Sequence, residues 1–154
     1  GHVMRVVTEI LNAQPEGEGT DLRTALDLLG SLSKRRSVAF CISDFIDEGY
    51  ERALRVASKR HDLIPVQVVD PREEELPDVG VALVEDLETG ELVEVDTSDA
   101  RVRDAFAHSV HTQRARREQL FRRLRVDHVT VKTDGDYARP IAELFRRRQR
   151  RMSR

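Results

Sequence analysis

Apolar residues recur at helical spacing from Val3 to Ala13, with Val6, Val7, Ile10 and Leu11 on one stripe, and Pro15 after Gln14 should end the helix. Glu16-Gly17-Glu18-Gly19 reads as a flexible turn. Thr20-Asp21 then stands where an N-cap belongs, ahead of Leu22, Ala25, Leu26, Leu29 and Leu32. Lys34-Arg35-Arg36 supplies cations suited to the carboxyl end of that second helix. The run Ser37-Val38-Ala39-Phe40-Cys41-Ile42-Ser43 is apolar without alternation, which predicts a strand covered on both faces, as in parallel sheets. A third helix is expected over 50–61 and a second buried-type strand over 63–69, where Pro65 limits ladder donation near the strand start.

The pattern changes after Asp70-Pro71. An acidic loop, Glu73-Glu74-Glu75-Leu76-Pro77, leads into two short strands, 79–85 and 91–95, around Leu87-Glu88-Thr89-Gly90, a hairpin with Gly90 in its turn. Ser98-Asp99 caps a long helix reaching Arg125. Its apolar stripe (Val102, Ala105, Phe106, Val110) is broken by Gln113, Arg114 and Arg117 and resumes at Leu120, Phe121 and Leu124. A third buried strand spans 127–131, and Thr133-Asp134-Gly135-Asp136 turns into a last helix with Ile141, Leu144 and Phe145 and an Arg-rich end, 146–154. Strands separated by helices imply right-handed crossovers, hence a Rossmann-like three-layer α/β fold with a parallel sheet of about three strands plus an antiparallel hairpin. No internal repeat is present.

Length fits this reading: 154 residues suffice for one domain, 1–154, with its own core. The single cysteine, Cys41, excludes an internal disulfide framework and a Cys-based zinc site. No apolar run approaches a membrane span, and no charged-then-apolar leader opens the chain, so a soluble, cytoplasmic protein is expected. The net charge of −2 hides a strong segregation. Residues 62–99 carry thirteen acids against one base, Arg72, whereas 101–154 carry sixteen bases against six acids. Such asymmetry marks either a nucleic-acid arm or two faces that pack on each other. Gly1-His2 reads as a processing scar, and a three-stranded sheet is small for this architecture, so a fragment of a longer parent is expected.

In open parallel sheets, ligands bind beyond the carboxyl ends of the strands. Ser43-Asp44, Asp70 and Thr133-Asp134 follow the three predicted strands, and Thr20 begins a helix that could face the same edge. Their hydroxyl and carboxylate oxygens suit hard divalent cations such as Mg²⁺. The same residue types also end strands and cap helices with no ligand involved.

Several segments bear a closer likeness. Gly19-Thr20-Asp21-Leu22, the run from Arg36 to Phe45, Arg60-His61-Asp62-Leu63-Ile64, Val68 through Gly80, Asp96-Thr97-Ser98 and Val126-Asp127-His128-Val129 resemble the bacterial family called domain of unknown function 58. The run Val69-Asp70-Pro71-Arg72-Glu73-Glu74-Glu75-Leu76-Pro77-Asp78-Val79-Gly80 is its most specific part. The resemblance implies a fold similar to von Willebrand factor type A domains, and genes of the family commonly accompany MoxR-type AAA+ ATPases. It therefore implies a partner role, with that ATPase and an unknown client protein, rather than catalysis. Type A domains hold a divalent metal through an Asp-x-Ser-x-Ser loop, a Thr and an Asp, and a partner carboxylate completes the shell. Thr20 matches the Thr and Asp44 the later Asp, while Ser43, Asp70 and Asp134 would border the partner. No Asp-x-Ser-x-Ser occurs in the chain. The likeness therefore implies that the first strands are absent, that no cofactor is held firmly here, and that Mg²⁺ binding and any membrane anchor belong to the parent. It also implies an unpaired strand at 37–43, a template for a homodimer.

Enzyme readings find little support. Asp44-Phe45-Ile46-Asp47 is one residue too long for a phosphatase Asp-x-Asp, Gly17-Glu18-Gly19 lacks the third Gly of a dinucleotide turn, and no Ser sits in a nucleophile elbow. His108 and His111 share a helix face without a third ligand, and His61 and His128 flank strands. A nucleic-acid reading would rest on Arg146, Arg147, Arg148, Arg150 and Arg151 and on the Arg cluster from Arg114 to Arg125. Contact of those arginines with the acidic 62–99 stretch is the competing expectation, and it leaves no nucleic-acid partner.

Overall fold

The structure is a computed structural model, and it describes residues 2–14, 19–85 and 91–152. The elements run α1 (His2–Asn12), α2 (Leu22–Leu32), β1 (Val38–Ser43), α3 (Glu51–Arg60), β2 (Asp62–Val69), a single 3₁₀ turn (Pro71–Glu73), β3 (Val81–Glu85), β4 (Leu92–Asp96), α4 (Ala100–Leu124), β5 (Val129–Lys132) and α5 (Ala138–Met152). This is the expected order, a mixed α/β chain with a parallel sheet and a separate hairpin. The sheet runs β1-β2-β5, parallel throughout, and β3 pairs antiparallel with β4. The expected turn at Leu87–Gly90 lies outside the described residues.

Local chemistry explains the boundaries. The Asp21 carboxylate accepts the Thr24 N–H and starts α2, and Asp99 accepts the Arg101 N–H and starts α4. Arg125, in the left-handed region at φ 56°, ends α4, with its N–H shared between the Arg122 and Phe121 carbonyls. Pro65 lies in the central strand opposite Cys41 of β1, whereas the ladder to β5 begins one residue later, at Val66 opposite Val129. The proline's missing donor therefore falls before the doubly paired part of β2.

The sheet separates two apolar clusters. On one side Ala39, Cys41 and Leu63 pack with Leu22 and Leu26 of α2, Ala53, Leu54 and Ala57 of α3, and Leu120 and Phe121 of α4. Phe45 meets Phe121 edge-on at 5.2 Å between ring centroids and Tyr50 at 5.8 Å. On the other side Ile64, Val66, Val129 and Val131 pack against Leu144 and Ile141 of α5.

The expectation that the strand at 37–43 is covered on both faces needs correction. Ala39 and Cys41 are half-buried, but Val38, Phe40 and Ile42 on the α5 side are exposed, Ile42 by 68%. The reason is that α5 lies over β2 and β5, with Phe145 beside β1, 6.2 Å from Phe40 between ring centroids. Helix α1 is likewise uncovered: none of its residues is buried, and Val3, Met4, Ile10 and Leu11 are each at least 64% exposed.

Segregated charge becomes contact between the two halves of the sequence. Arg114 of α4 pairs with Glu74 at 2.7 Å, Arg103 with Asp78 at 3.5 Å and Lys132 with Glu74 at 3.9 Å. From α5, Arg148 bridges Asp62 and Asp127, and Arg151 pairs with Asp127.

Candidate functional site

The carboxyl ends of β1 and β2 open toward a cluster of loops. Ser43 closes β1, and its hydroxyl donates to Asp44 at 3.3 Å and accepts the Phe45 N–H at 3.0 Å. The Asp44 carboxylate also accepts the Ile46 N–H at 3.1 Å. Between them Phe45 holds φ 59°, a conformation strained for an aromatic residue, kept in place by complete burial of its ring. Asp47 Oδ2 accepts the Leu22 N–H at 2.7 Å, which draws the start of α2, and with it the segment carrying Thr20, to the loop that follows β1. Asp70 ends β2 and accepts the Arg72 N–H at 2.9 Å, capping the 3₁₀ turn. Thr20 and Asp44 are exposed, Asp70 is half-buried, and Asp134 sits in the exposed turn after β5.

Behind this rim lies a cleft of about 80 Å³ bounded by Asp44, Asp70 and Glu74 and roofed by Gln113, Arg114 and Arg117 of α4. Gln67, 1% exposed, lines its floor, and its Oε1 has no hydrogen-bond partner. The Nε of Arg117 is likewise buried and unpartnered. A buried polar atom left unpaired costs free energy, on the order of 1–3 kcal/mol, so each is a place for a ligand or solvent hydrogen bond. Arg117 also borders a larger open groove between the Phe45–Glu51 loop and α4, where its charge draws down the Tyr50 phenol, although burial dominates and raises that group to about 12.

Gln67 and Gln113 were not among the candidate residues, and Arg114 and Arg117 entered only through the nucleic-acid reading, yet the signals of all four were present. Gln67 is the lone polar side chain inside an otherwise apolar strand, and Gln113, Arg114 and Arg117 are the break in the apolar stripe of α4. Thr97, inside the Asp96-Thr97-Ser98 match, proves structural: its Oγ1 donates to the Gly80 carbonyl at 2.6 Å and accepts the Val79 N–H at 3.0 Å, locking the base of the hairpin.

Other candidates resolve differently. Among the described residues no three His, Cys, Asp or Glu side chains converge on one point, and Asp44 Oδ1 accepts hydrogen bonds from its own loop. Cys41 is half-buried, and burial pushes its thiol above the ordinary value, which makes it a poor nucleophile. His61 is buried at the amino end of the sheet, with Nδ1 3.2 Å from the Ser37 hydroxyl. Of the tail arginines, Arg148 and Arg151 are engaged by Asp127, and Arg146 donates to the Ala142 carbonyl.

Comparison with known sequences places this geometry. The family model described as "Protein of unknown function DUF58" matches residues 1–116, which include Thr20, Ser43, Asp44 and Asp70 but not Asp134. The chain belongs to this family. It is 36% identical over 137 residues to an uncharacterized protein of Mycobacterium avium, covering 88% of this chain and 80% of that one. It is 33% identical over 150 residues to uncharacterized proteins of Mycobacterium tuberculosis and Mycobacterium bovis, covering 97% of this chain and 47% of each of those. The chain thus spans about half the length of these latter relatives. No solved structure matches the chain. No helix among the described residues is long and apolar enough to cross a membrane.

Proposed function

We propose that this DUF58 chain is a non-enzymatic protein-interaction module that docks a MoxR-type AAA+ ATPase at the carboxyl rim of its sheet, in the assembly or maturation of a client protein. The observation that carries the reading is the rim cleft, lined by exposed Asp44 and half-buried Asp70, where Gln67 Oε1 and Arg117 Nε stand buried without partners. A partner loop entering the cleft would pair both atoms, and the acids around it would favour a donor-bearing group. The resemblance to type A domains supports the same rim as the docking surface. Docking there needs no firmly held cation in this chain, which has no Asp-x-Ser-x-Ser loop to complete a shell with Thr20 and Asp44.

The test is a binding titration of the chain against a MoxR-type ATPase from the same genome, with Gln67→Leu and Asp70→Ala variants. Saturable binding that falls at least tenfold in either variant, with unchanged circular dichroism, supports rim docking. Equal binding by all three proteins, or none, rejects it.

A further inference from the structure

The two unpaired atoms of the rim cleft are of opposite hydrogen-bonding kind. Gln67 Oε1, on a side chain 1% exposed, can only accept, and the buried Nε–H of Arg117 can only donate. The charges around them are divided as well. Glu74 is occupied by Arg114 at 2.7 Å and by Lys132 at 3.9 Å. Asp44, Asp70 and Glu73 border the same cleft with no ion-pair partner among the described residues. Its interior is thus bordered by the Arg117 cation and its mouth by three uncompensated acids. The walls are the ends of β1 and β2, the 3₁₀ turn and α4.

Resting on the reading of the rim as a docking surface, we propose that the cleft recognises the side-chain carboxamide of an Asn or Gln on a partner loop, with a Lys or Arg beside it meeting the acidic mouth. A carboxamide donates N–H to Gln67 Oε1 and offers its C=O to Arg117 Nε–H, and it brings no charge into a site of low polarity. A carboxylate would satisfy Arg117 but offer Gln67 no hydrogen, and it would pass three acids on entry. An ammonium would satisfy Gln67 but offer Arg117 no lone pair and press against its charge. The methylenes of the entering side chain would lie along Val68, Val69 and Val110. At about 80 Å³ the cleft admits the end of one side chain, whereas pockets for whole small molecules run to about 300–1,000 Å³.

The test is an NMR titration of the chain with blocked pentapeptides Ala-Gly-Gln-Lys-Ala, in which Gln is also replaced by Glu, Met or Lys, or the neighbouring Lys by Ala. The Gln-Lys peptide should bind at least roughly tenfold more tightly than the Glu, Met and Lys versions, because each of those leaves a buried polar atom unpaired. It should also shift the Gln67 side-chain amide and Arg117 Nε–H signals. Replacing its Lys by Ala, or Glu73→Gln in the protein, should weaken binding and leave the order of the Gln, Glu and Met peptides unchanged. Gln67→Leu and Arg117→Lys should each abolish the preference for Gln while circular dichroism stays unchanged. No binding, equal binding of the peptides, or shifts that bypass both side chains overturn the proposal. Loss of ATPase binding in Gln67→Leu without any peptide preference would leave rim docking standing and reject carboxamide recognition. A clear preference for Gln with no ATPase binding would do the reverse.

Discussion

The two faces of β1 come from one apolar hexamer and meet opposite fates. Ala39 and Cys41 join a cluster with α2, α3 and α4 in which Leu54 and Phe121 have no exposed surface. Val38, Phe40 and Ile42, one residue away in each case, stand largely open. Alternation along a strand assigns side chains to faces, but what covers each face is decided by elements far away in sequence. An unbroken apolar run therefore reports that both faces avoid water, not that this chain supplies both covers.

The sharpest way to break the contrast is to cut into each region. Phe121→Ala, in the closed cluster, should cost about 3–5 kcal/mol by urea unfolding, whereas Leu83→Ser on the exposed hairpin should stay within about 0.5 kcal/mol. Comparable losses would show that the open region is in fact packed. A smaller effect is expected where α5 is pinned to the sheet by charge. Arg148→Met removes its contacts to Asp62 and Asp127, groups about a fifth to a third exposed, and should cost about 1–2 kcal/mol. That difference should shrink in 1 M salt, and insensitivity to salt would assign the loss to packing instead.

The smallest effect concerns pH. Burial, with the ring of Phe121 at 4.9 Å between centroids, pushes His128 below its ordinary value. The folded state thus prefers the neutral imidazole, and its contribution is present above the ordinary histidine range and lost as pH falls through the lowered value. The melting temperature of the wild type should therefore fall more between pH 7 and 5 than that of His128→Phe. Parallel curves would remove His128 as the cause.

Much of the architecture was legible in the residues. Caps such as Asp21 and Asp99 and the helical spacing of Leu22, Leu26 and Leu29 encode local structure, which needs few distant contacts to form. The candidate site was legible only in part. Asp44 and Asp70 were readable because strand ends concentrate such residues, and Thr20 because it precedes a helix start. Gln67 and Arg117 were not, because a lone polar residue in a strand and a polar break in a helix stripe become one cleft only after α4 crosses the rim. The left-handed Phe45 was beyond reach too, since nothing in Asp-Phe-Ile announces a φ of 59°. Ring packing against Tyr50 and Phe121 imposes it from elsewhere in the fold.

The sheet acts as a septum between two interiors of unequal size, and among the described residues α5 is the lid on the smaller one. With Leu144 its one fully shielded anchor and arginines along its last turns, α5 rests on few apolar holds. It can lift away as a cooperative unit while the larger compartment stays shut. Amides of α5 and β5 should then exchange together and ahead of those in α3.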